Sequence, residues 1–109
     1  MEKVTLFRLE SPDITKSILI YFNVKGQLFF DGYDIGKGVE RFWGESDFEY
    51  DYTIESDEVE KLYPLFNLQV GDKPGLLKAI KDRFGVDEAY SLFGRFMEEH
   101  KIRHGRFEY

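Results

Sequence analysis

Asp47-Phe48-Glu49-Tyr50-Asp51-Tyr52-Thr53-Ile54-Glu55 alternates without a break, with acidic or hydroxyl-bearing residues at odd positions and aromatic or branched apolar residues at even ones. Successive side chains of an extended chain leave opposite faces, so this pattern predicts an antiparallel strand with one buried and one wet face. A sheet with a dry face needs a second layer to cover it, and the rest of the chain supplies one.

Upstream, Ile18, Ile20, Phe22 and Val24 share one face at period 2, and Lys25-Gly26 gives a turn from which Gln27-Leu28-Phe29-Phe30 returns as the second arm of a hairpin. Val4 to Leu9 reads as a first strand, ended by Ser11-Pro12-Asp13. Asp31-Gly32 reads as an interruption, and Tyr33 to Gly38 as too glycine-rich to be regular. Val39, Phe42 and Trp43 stand at helical spacing before Gly44. Downstream of the alternating strand, Asp57 is placed to cap a helix carrying Val59, Leu62, Tyr63 and Phe66, which Pro64 stops or kinks near Tyr63. Asp72 and Pro74 open a helix through Leu76, Leu77, Ile80 and Phe84, ended by Gly85. Asp87 caps another with Ala89, Leu92, Phe93, Phe96 and Met97 inward, and Arg106 to Tyr109 alternates as a last strand. The expected fold is α+β: an antiparallel sheet of four or five strands with two or three helices packed on one face, a single domain over 1–109.

Composition narrows the functional classes. At 42% hydrophobic and 17% aromatic, the 109-residue chain has enough apolar surface to fold. With no cysteine, disulfides, thiolate metal sites and thiol nucleophiles are excluded. A net charge of −6 argues against nucleic acid, whose binding is driven by Lys and Arg on phosphates. The excess acid is local: residues 31–60 hold eleven acidic groups against Lys37 and Arg41, net −9, and the flanks are slightly basic. Such a block steers basic partners. The start lacks a basic and apolar leader, and Ile18 to Phe22 is far shorter than the ~20 residues of a membrane span, so a cytoplasmic, membrane-free protein is expected.

Four constellations bear on chemistry. The wet row of the alternating strand with its approach, comprising Trp43, Glu45, Asp47, Glu49, Asp51 and Glu55, forms a surface able to receive Lys and Arg of a partner. Exposed acids of this kind lack the burial that raises the pKa of a catalytic carboxyl. Asp31, Asp34 and Glu40 offer oxygen ligands for a metal, but without the spacing of an EF-hand, and turn chemistry explains them better. His100 and His104, four apart, lack the HExxH arrangement and a third ligand, and basic groups at a helix C-terminus account for them. Gly36-Lys37-Gly38 lacks phosphate-loop spacing, and no serine sits in a nucleophile elbow. No catalytic residue and no cofactor is expected.

The run Phe30 to Glu40, then Phe42-Trp43-Gly44 and Phe48 to Ile54, with Leu76-Leu77, Arg83-Phe84-Gly85 and Phe96 to His100 later, resembles a small bacterial family of about this length with no assigned activity. The resemblance covers most of the chain and supplies no catalytic residues. Small acidic α+β immunity proteins of bacterial toxin systems are similar in size and charge only. The expected function is a non-enzymatic bacterial protein-binding module whose acidic sheet face meets a basic protein partner. The alternatives are a small metal-dependent enzyme or metal binder using Asp31, Asp34 and Glu40, and a homo-oligomer pairing through the Phe107–Tyr109 strand or the Tyr- and Phe-bearing sheet edge.

Overall fold

A computed structural model of the chain describes residues 3–36 and 47–108. Five strands, β1 (Lys3–Glu10), β2 (Thr15–Phe22), β3 (Leu28–Ile35), β4 (Asp47–Ile54) and β5 (Gly105–Glu108), form one antiparallel sheet in the order β1-β2-β3-β4-β5. Between β4 and β5 run two single-turn helices, α1 (Ser56–Val59) and α2 (Leu62–Leu65), and two longer ones, α3 (Lys73–Phe84) and α4 (Ala89–Glu99). The α+β expectation holds. Among the described residues no helix is long and apolar enough to cross a membrane.

The alternation decides which side is covered. Ile18, Ile20, Leu28, Phe30 and Ile54 project from the sheet onto Leu62, Leu76, Ile80, Phe93 and Met97 of the helices, all of them buried. Phe30 and Phe93 stack at 4.9 Å across the two layers. Tyr52 stacks on Tyr90 at 4.2 Å and donates its hydroxyl to the Tyr90 carbonyl at 3.0 Å, which seats a polar tip in an apolar wall. β1 carries a bulge between Thr5 and Phe7, so that Leu6 and Phe7 both pack on the core from this edge strand.

Several expectations are corrected. β2 ends at Phe22. Val24 lies in the turn, 91% exposed, because the Asn23 carbonyl oxygen Oδ1 accepts the amides of Lys25 and Gln27 and closes the loop around Gly26 at φ 80°. Asp31-Gly32 does not interrupt β3, which runs on to Ile35. Gly32 is buried opposite Tyr50, whose ring occupies the space a Cβ at 32 would fill, so the missing side chain is a seat for an aromatic across the sheet. The expected helix around Val39 to Gly44 lies outside the described residues.

The helix after β4 breaks at Glu60-Lys61, earlier than expected, since Pro64 has no N–H to offer the Glu60 carbonyl. Its N-cap is Glu55 rather than Asp57. Asn67 at φ 59° closes α2, with the Leu68 amide donated to the Tyr63 carbonyl at 2.9 Å. Asp72 caps α3 as expected, accepting the Gly75 amide at 3.1 Å. Asp87 is not the cap of α4. Glu88 holds that position, and Asp87 instead pairs with Lys16 of β2 at 2.7 Å.

Glu58 is the one buried charged residue among those described, 3% exposed. One carboxylate oxygen accepts the Arg103 amide at 2.7 Å and the other meets the Lys61 ammonium at 2.7 Å. These contacts, led by Lys61, hold its carboxyl down at about 2. They tie the chain entering β5 to the helix that leaves β4.

Candidate functional site

No described helix packs on the other side of the sheet, and the same alternation that fills the core assembles a surface there. The register sets Leu19, Asp31, Asp51 and Phe107 side by side across β2, β3, β4 and β5. The flanking rows place Ser17, Tyr33 and Glu49 on one side, and Tyr21, Phe29 and Thr53 on the other. Between the first two rows lies a hollow of about 270 Å³, open to solvent and bordered by Leu19, Asp31, Tyr33, Glu49 and Asp51.

At its centre two carboxylates face each other as direct cross-strand neighbours, Asp31 of β3 and Asp51 of β4. Like charges so placed repel. Tyr21 relieves part of this by donating its hydroxyl to Asp31 at 2.8 Å. Its own pKa is pushed up to about 12, first by burial, then by that hydrogen bond and the charges of Asp31 and Asp51. Tyr21 is in turn held on both sides, stacked on Phe29 at 5.4 Å and beneath the Lys3 ammonium at 4.6 Å. The Asp51 carboxyl is raised above the ordinary carboxylate range by burial, then by Asp31 and Glu49. Asp51 is therefore half-buried in a hollow and not part of a fully wet row, while Glu49 is exposed. The hollow presents negative charge with aromatic and aliphatic borders, a chemistry that receives ammonium or guanidinium groups.

Of the six residues expected to bind, Glu49 and Asp51 stand on this surface. Trp43 and Glu45 lie outside the described residues, and Asp47 is described only by its backbone, which opens β4 opposite Ile35. Glu55 belongs elsewhere: it follows β4, and its carboxylate accepts the Gln27 side-chain amide at 2.9 and 3.1 Å. Asp31, Tyr21, Tyr33 and Phe107 join the site although the alternating strand alone does not point to them. The hairpin turn at 23–27 was the available signal, because it fixes Phe22 opposite Leu28 and hence Leu19 opposite Asp31.

The metal constellation does not assemble. Asp31 and Asp34 are three residues apart in one strand and leave opposite faces, Asp31 toward Tyr21 and Asp34 toward the Tyr50 hydroxyl at 2.9 Å. Glu40 lies outside the described residues. His100 packs its ring on Phe96 at 4.6 Å, whereas His104 stands edge-on to Tyr52 with Nδ1 2.9 Å from the Ile102 carbonyl. Among the described residues no three His, Cys, Asp or Glu side chains are grouped as metal ligands.

No family model, no curated protein and no solved structure matches this chain. The surface itself carries the functional reading.

Proposed function

We propose that the protein is a non-enzymatic binding module whose helix-free sheet face receives a basic segment of a partner protein. The observation that carries this reading is the juxtaposition of Asp31 and Asp51 across β3 and β4, rimmed by Glu49, Tyr33 and Phe107. Folding gains nothing from two carboxylates placed opposite each other, whereas a cation between them turns the repulsion into two attractions. Phe107, half exposed beside Asp51, adds apolar contact area of the kind that anchors interfaces.

The test is capture of partners from the source lysate by the full chain and by a triple variant, Asp31→Asn, Glu49→Gln and Asp51→Asn, which keeps every shape and removes three charges. A basic protein held by the wild type, released by salt and not held by the folded variant is the expected result. Equal retention by both chains would overturn it.

A further inference from the structure

A second cleft, of about 170 Å³, lies on the helix-covered side, where β2, β3 and β4 run beneath the first turn of α4. Its walls are aromatic: Tyr90 stands edge-on to Tyr50 at 4.7 Å, and Tyr50 packs on Phe48 at 5.6 Å. Four carboxylates line it, from Asp34 of β3, Asp87 and Glu88 before α4, and Glu108 of β5. Among the described residues of the lining the one cation is Lys16, and it is already paired with Asp87. Glu108 meets the Arg106 guanidinium at 3.4 Å, while Asp34 and Glu88 form no ion pair among the described residues.

Tyr50 gives Asp34 a hydrogen bond but no charge. Burial raises the Asp34 carboxyl, with Tyr50 and Lys16 offsetting only part of the effect. The cleft therefore holds partly desolvated negative charge between aromatic rings. An anion is repelled there, and a neutral ring would strip water from the carboxylates without replacing it.

We propose that this cleft binds the guanidinium of an arginine side chain from a partner polypeptide, stacked on a tyrosine ring with its N–H groups donated to Asp34 and Glu88. A guanidinium is planar, weakly hydrated and forked toward carboxylates, so it suits an aromatic slot better than the compact, strongly hydrated ammonium of lysine. The site lies across the sheet from the Asp31–Asp51 hollow and does not rest on the function read from that face.

The test is a titration of the ¹⁵N-labelled full chain with three capped tripeptides, acetyl-Gly-X-Gly-amide, where X is arginine, lysine or citrulline, the neutral isostere of arginine. The arginine peptide is expected to shift the amides of Asp34, Tyr50, Glu88 and Tyr90 saturably, and the citrulline peptide to leave them in place. The double variant Asp34→Asn and Glu88→Gln, in which the new amide at 34 still accepts the Tyr50 hydroxyl, is expected to bind about tenfold more weakly. Equal shifts with citrulline, equal affinity for lysine, no saturable shift, shifts confined to Asp31 and Asp51, or unchanged affinity in a folded double variant would each overturn the assignment.

Discussion

Along β4, Tyr50, Tyr52 and Ile54 and their neighbours Glu49, Asp51 and Thr53 leave one backbone in opposite directions and meet opposite rules. On the helix side, rings and aliphatic chains interlock, and even polar tips are placed, with Tyr50 on Asp34 and Tyr52 on the Tyr90 carbonyl. On the other side, Asp51 faces Asp31 as its direct cross-strand neighbour, and the two like charges repel. The first arrangement is explained by stability and the second is not. A surface that tolerates repulsion which a change to Asn would remove is a place to look for a partner.

The contrast can be tested by breaking each face in turn. Phe93→Ala removes the ring stacked on Phe30 at the centre of the helix layer and is expected to cost about 3–5 kcal/mol, a large share of the roughly 5–15 kcal/mol of a typical domain, read by urea or thermal unfolding. Glu58 is the helix side's exception, a buried charge. With its carboxyl held at about 2 against an ordinary value of 4.5, its stabilising contribution is complete above 4.5 and lost as pH falls through about 2. Glu58→Gln should lower the Tm at neutral pH and flatten the acid limb of a Tm-against-pH curve. An unchanged limb would show that Arg103 and Lys61 hold nothing in place.

Gly32→Ala places a methyl group in the seat of the Tyr50 ring and is expected to cost about 1–3 kcal/mol by unfolding. Asp51→Asn has the smallest effect and the opposite sign, a gain of about 0.2–1 kcal/mol at pH 7. Its carboxyl is raised in the folded state, so the charge costs stability above the folded pKa and the cost disappears below the unfolded value of 3.8. The gain should therefore vanish in acid. A loss of stability at pH 7 would put Asp51 under the same rule as the helix side.

How far the sequence reached follows the range of the interactions involved. The two faces of β4 and the inward positions of α3 and α4 depend on periodicity within a segment, and they were legible. Gly32 was misread because a glycine in a turn and a glycine beneath a distant ring look alike until Tyr50 is brought across from it. Asp87 looked like a cap because its competing partner, Lys16, is 71 residues away in the chain. The end of α4 gave no local signal either, since the residue that turns left-handed after it is Lys101, at φ 56°, and not a glycine. For the site, the acids on β4 were visible and their counterpart Asp31 was not, because pairing between strands belongs to the register rather than to either strand.

The placement of β5 bears on the order in which the protein opens. The first four strands are neighbours in both chain and sheet, whereas β5 reaches β4 only after α1 to α4 have intervened. All four of its residues are exposed, and the chain entering it is tied by the Arg103 amide to Glu58, by the Arg103 guanidinium to Glu58 and Asp57 at 3.4 and 3.7 Å, and by His104 edge-on to Tyr52. Such a strand detaches as its own unit, long before the rest unfolds. Backbone amides of Gly105–Glu108 should exchange with deuterium by this local route while those of Ile20 and Phe30 wait for global unfolding. Each opening would leave the ladder edge of β4, beside Asp51, briefly free to accept a strand from another chain.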